Sequence, residues 1–108
     1  MRLMEKDKDE LKIMNQFRSK GGMSYDLKCN GTRITLLVSP RTNPDDLGEW
    51  RIEARSNRPH EEAVVVTKWG ATRIEALREV GRSWTATSSP GTFDWDAVAA
   101  ALNSVRAL

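Results

Sequence analysis

At 108 residues the chain can build one hydrophobic core and is too short for two, since chains rarely divide into separate cores below ~150 residues. Apolar residues at 39% and charged residues at 30% exclude a disordered chain, and no apolar run approaches the ~18 residues of a membrane-spanning helix. The net charge of +2 is too slight to announce a nucleic-acid partner, and one cysteine with one histidine can make neither an internal disulfide nor a zinc site.

Residues 1–20 carry the whole positive excess and lack the apolar stretch of a secretory signal, which makes the cytosol the expected location. They read as a charged helix or flexible tail, with Leu11, Met14 and Phe17 or Arg18 at helical spacing and Gly21-Gly22 as the stop. Residues 21–108 read as a single α+β domain.

From Met23 the period changes to two. Met23, Tyr25, Leu27 and Cys29 alternate with polar residues, Asn30-Gly31 follows, and Ile34, Leu36 and Val38 alternate again. Asn-Gly supplies the two positive-φ positions of a type I′ turn. Taken as the loop, it pairs Cys29 with Thr32, Leu27 with Ile34, Tyr25 with Leu36 and Met23 with Val38, which puts every apolar partner on one face. Residues 39–48, with two prolines, form a loop. Trp50, Ile52 and Ala54 then mark a third strand with a charged outer side, and Ala63 to Trp69 a fourth that is apolar on both faces.

Thr72 and Glu75 fit a capping box, opening a helix whose stripe is Ile74, Leu77, Val80 or Gly81, and Trp84. Asp94 caps a last helix with Trp95, Val98, Ala99, Leu102 and Val105 inward. The expected architecture is α+β: a four-stranded antiparallel meander (about 23–29, 32–38, 49–55 and 62–69) with two C-terminal helices (about 72–86 and 94–106) on one face.

Catalytic chemistry finds little support. His60 lies in a turn with no serine, cysteine or second histidine placed to complete a triad or metal shell. Cys29 reads as a small inward hydrophobe. Asp94 and Asp96 serve better as a helix cap and a dipole partner than as metal ligands, and Asp45-Asp46 and Glu61-Glu62 read as solvated turn charges. No glycine pattern matches a phosphate-binding loop. The expectation is a protein that is not an enzyme and holds no metal or cofactor.

Two groups of side chains remain as candidates. On the outer sheet face Lys28, Arg33, Arg51, Arg55 and Lys68 could meet phosphates; a sheet backed by helices with its other face open resembles, in outline, sheet-face readers of single-stranded nucleic acid. Asp26, Glu49 and Glu53 on that face, and aromatic rings expected to point inward, weigh against it. Where Trp69, Trp84 and Trp95 converge, an aromatic pocket could take a peptide or small ligand. The sequence therefore favours a binding or adaptor module acting through protein–protein contacts, with a second copy of itself as one partner. Single-stranded DNA or RNA binding is the alternative, and a tryptophan-lined pocket the weaker one.

Overall fold

The computed structural model describes residues 11–19, 21–29, 32–42, 44–56, 63–86 and 93–105. Among these residues five strands, β1 (Lys12–Ser19), β2 (Gly22–Cys29), β3 (Thr32–Pro40), β4 (Trp50–Ser56) and β5 (Val65–Gly70), form one antiparallel sheet in chain order. Two helices follow, α1 (Arg73–Ala86) and α2 (Trp95–Ser104). The α+β class with an antiparallel sheet and two helices stands, with five strands in place of four.

The extra strand is the correction. Lys12–Ser19 was expected in a helix and instead pairs with β2, with Ser19 opposite Gly22 and Gly21 between them at φ +82°. The glycine that reads as a helix stop is thus the turn residue of a hairpin, where positive φ costs glycine little. A register shift between Ile13 and Asn15 explains the misleading spacing. An extra residue in one strand inverts the alternation beyond it. Ile13 faces the same side as Leu27, and Phe17, beyond the shift, faces the opposite side with Ser24. Leu11, Met14 and Phe17 therefore imitate a helical stripe without forming one. Residues 1–10 of the expected helix or tail lie outside the described residues.

The β2–β3 pair has the register expected from sequence, with Cys29↔Thr32, Leu27↔Ile34, Tyr25↔Leu36 and Met23↔Val38 all paired, while Asn30 and Gly31 lie outside the described residues. Leu36 then meets Ala54, and Ala54 meets Val66, so one row of apolar side chains runs from β2 to β5. These side chains join Ala76, Leu77, Val80 and Trp84 of α1 and Val98 and Leu102 of α2 in the core, where Ile34, Leu36, Ile52, Ala54, Val80, Val98 and Leu102 are wholly buried. Each large aliphatic side chain so buried contributes ~1.5–3 kcal/mol.

Two close approaches fix how α1 sits. A Cβ on Gly70 would stand 2.5 Å from the backbone nitrogen of Ala76, so the strand end and helix start can touch only through glycine. A Cβ on Gly81 would stand 2.9 Å from the Trp95 ring, which lets α2 lay that indole against α1. The expected caps are present: Thr72 Oγ1 accepts from the Glu75 N–H at 3.2 Å, and Asp94 Oδ1 from the Ala97 N–H at 3.1 Å. Neither described helix is long and apolar enough to cross a membrane.

Candidate functional site

Side chains of both helices join one face of the sheet in the core, and among the described residues no helix or strand covers the other face. Residues directly opposite in an antiparallel pair point to the same side, so the register assigns every strand residue to a face. Four of the five expected cationic positions are on the outer side: Lys28 is opposite Arg33, Arg51 is opposite Ser39, and Arg55 is opposite Thr35.

Lys68 is a correction. It pairs with the buried Ile52 and so belongs to the helix side, away from the other four cations. Trp69 is its mirror image. Paired with Arg51, it stands on the outer face and not beside Trp84 and Trp95. The reason is that β5 is apolar on both sides, so its pattern alone fixes no orientation; the pairing of Val66 with Ala54 does. Trp84 and Trp95 do meet, edge to face with centroids 5.9 Å apart, and Phe93 adds a second ring contact to Trp95 at 5.6 Å. The groove between α1 and α2, ≈ 660 Å³ and lined by Ile74, Leu77, Gly81 and Ala99, has Trp95 in its wall and neither Trp69 nor the buried Trp84.

The added strand enlarges the outer face. Lys12 pairs with Lys28, so Lys12, Lys28 and Arg33 form one cationic row across β1, β2 and β3. None of the three makes an ion pair among the described residues. Like charges directly opposite each other destabilise a sheet by a few tenths of a kcal/mol per pair. Each acid of this face has a partner, Glu49 standing 4.0 Å from Arg41. Asp26 accepts a hydrogen bond from the Thr35 hydroxyl at 3.1 Å, and Glu53 lies between Arg51 and Arg55 at 3.3 and 3.9 Å.

Two aromatic rings also stand on this side, against the inward placement read from sequence. Phe17, opposite Ser24, is 46% exposed, and Trp69 occupies the far corner. Asp46 holds that corner: its carboxylate accepts from the Trp69 indole N–H at 3.2 Å and from the Thr42 N–H at 2.9 Å. Asp46 is buried and is no solvated turn charge, unlike the exposed Asp45. The two functions of one carboxylate are to stiffen the loop before β4 and to orient an indole on the open face.

Cys29 is buried, and no group of three or more His, Cys, Asp or Glu that could hold a metal exists among the described residues. His60, Glu61 and Glu62 lie outside the described residues. Lys12 and Phe17 were missed because their segment reads as helical; the available signal was Gly21, which serves a two-residue hairpin loop as well as it serves a helix stop. Compared with protein-family models, curated proteins and solved structures, the chain matches none.

Proposed function

We propose that the chain is a cytosolic, non-enzymatic binding module that takes single-stranded nucleic acid on the outer face of its sheet. The observation that carries this reading is the row Lys12, Lys28 and Arg33, which makes no ion pair among the described residues, on the same face as the exposed ring of Phe17. A like-charged row lowers stability, and a polyanion laid along it relieves the repulsion. Base stacking on an aromatic ring is worth ~1–3 kcal/mol per base and needs no sequence preference. Lys12, Lys28, Arg33, Arg51 and Arg55 outnumber Asp26, Glu49 and Glu53 on this face, and Glu53 is paired with Arg51 and Arg55, so the net charge of the face is positive. The neutral body of the chain is no objection, because the binding surface is local.

Fluorescence anisotropy with labelled single-stranded and duplex oligonucleotides over a range of salt concentrations tests it. Three phosphate contacts at ~0.7 each give a slope of about −2 in log K against log salt for single strands. Preference for the single strand with such a slope is the expected result; absence of binding at low salt overturns the proposal.

A second reading, favoured by the sequence, is contact with a protein, a second copy included. What supports it is the β1 edge, where Met14 and Phe17 are 51% and 46% exposed and where, among the described residues, only β2 pairs with the strand, leaving its other side for strand addition. Light scattering separates the two: a dimer that disappears in Phe17→Glu and blocks oligonucleotide binding favours the second reading, and a monomer at high micromolar concentration counts against self-association.

A further inference from the structure

On the helix side, at the end of the sheet formed by the β1–β2 turn, a second cavity of ≈ 300 Å³ opens between Arg18, Met23, Tyr25, Val38, Trp50 and Arg73. Its position follows from the pairing. Arg18 is opposite Met23 and Met23 opposite Val38, while Trp50 lies on the same face two positions before Ile52, the β4 partner of Val38, so residues far apart in sequence converge beneath the first turn of α1.

The two guanidinium groups have no carboxylate partner among the described residues. Arg73 is held in place by stacking, with its guanidinium carbon 4.6 Å from the centroid of the Trp50 ring. That contact orients the planar fork and leaves its N–H edges for another group. Arg73 is also the first residue of α1, where the free N–H groups and the helix dipole already favour negative charge and disfavour a cation. A positive side chain at that position adds to the field of the helix end and neutralises none of it. Tyr25 is almost wholly buried. Burial raises the pKa of its hydroxyl above the ordinary value, and the nearby charge of Arg73 opposes that rise, which places the phenol in the electrostatic reach of the guanidinium. At physiological pH the hydroxyl keeps its proton and can donate.

We infer that this cavity is a binding site for a small phosphomonoester, with Arg18 and Arg73 gripping the phosphate, the Tyr25 hydroxyl donating to it, and Met23, Val38 and Trp50 forming the apolar wall. Charge decides for phosphate over carboxylate: a phosphomonoester carries about −1.5 to −2 near neutrality, which matches two guanidiniums, and Arg forms bidentate bonds to its oxygens. Size limits the rest of the ligand, since ~300 Å³ is the lower end for small-molecule sites. The site is on the opposite face from Lys28 and Arg33 and does not depend on the nucleic-acid reading.

The test is an NMR titration of the full chain, labelled at the arginine side-chain nitrogens, with glycerol 3-phosphate, inorganic phosphate and acetate at constant ionic strength. Saturable movement of the Arg18 and Arg73 Nε–H signals is expected with both phosphate compounds, at least about tenfold tighter than with acetate. Arg18→Ala, on an exposed side chain whose loss does not threaten the core, weakens phosphate binding about tenfold; Tyr25→Phe weakens it several-fold; Lys28→Ala with Arg33→Ala leaves it unchanged. No saturable movement, equal affinity for acetate, or a phosphate affinity left unchanged by Arg18→Ala overturns the inference. A 5′-phosphorylated oligonucleotide that binds better than its unphosphorylated form only while Arg18 is present identifies a nucleic-acid end as the phosphate source, and equal binding of the two identifies a free small molecule.

Discussion

Leu36 and Thr35 are neighbours on β3 and have opposite fates. Leu36 faces the helices, wholly buried between Tyr25 and Ala54, and Thr35 faces outward between Asp26 and Arg55. The same contrast runs through β2 and β4, where Leu27 and Ile52 are buried while Lys28 and Arg51 remain partly open. One face supplies the apolar burial that holds the fold. The other carries charges that do little for the fold and, in the row of Lys12, Lys28 and Arg33, oppose it. The period of two is what allows one strand to serve both ends, and it makes the two tasks separable by mutation: changes on the helix side should move stability, and changes on the open side should move binding.

The largest expected effect breaks the packed side. Leu36→Ala and Ile52→Ala each remove a wholly buried aliphatic side chain and leave a cavity, costing ~2–5 kcal/mol, to be read from the midpoint of urea unfolding. Gly70→Ala follows, because its new Cβ collides with backbone and not with a flexible side chain; the expected loss is ~1–3 kcal/mol in the same assay. On the open side, Phe17→Ala should lower single-strand affinity by ~1–3 kcal/mol while moving the unfolding midpoint little, since the ring is nearly half exposed. A stability loss as large as that of Leu36→Ala would erase the distinction between the faces.

Tyr25 sharpens the comparison through pH. Its hydroxyl has a raised pKa in the folded chain, chiefly from burial, so the folded state holds the proton more tightly than the unfolded state. Its contribution is therefore fully present below the unfolded value of about 10 and is lost as pH rises through the folded value. Denaturation midpoints should fall more steeply above pH ~10 in the native chain than in Tyr25→Phe. Equal slopes would place the hydroxyl in water.

The difference between the faces also explains what the sequence disclosed. Where a strand alternates cleanly and a turn signal pins its register, as in residues 23–38, both the pairing and the faces follow from the pattern, and Lys28 opposite Arg33 is legible in it. In β1 the bulge at Met14 shifts the phase, so Lys12 and Phe17 read as parts of a helix and the cationic row lost its third member. In β5 both faces are apolar, and only the partner strand decides that Val66 and Lys68 turn inward and Trp69 outward. Asp46 was misread because a carboxylate in a proline-rich loop carries no mark of the indole, 23 positions away, that it binds.

Lys28→Glu tests the separation of the two faces most directly. Lys28 is the middle of the cationic row, with Lys12 on one side and Arg33 on the other. A carboxylate there turns two like-charge pairs into two opposite-charge pairs, each worth roughly 0.2–1 kcal/mol, and removes a phosphate contact. Unfolding and oligonucleotide anisotropy measured on the same sample should move in opposite directions, with stability rising slightly and single-strand affinity falling about tenfold. Unchanged binding, or a fall in stability that accompanies the fall in binding, would contradict the account.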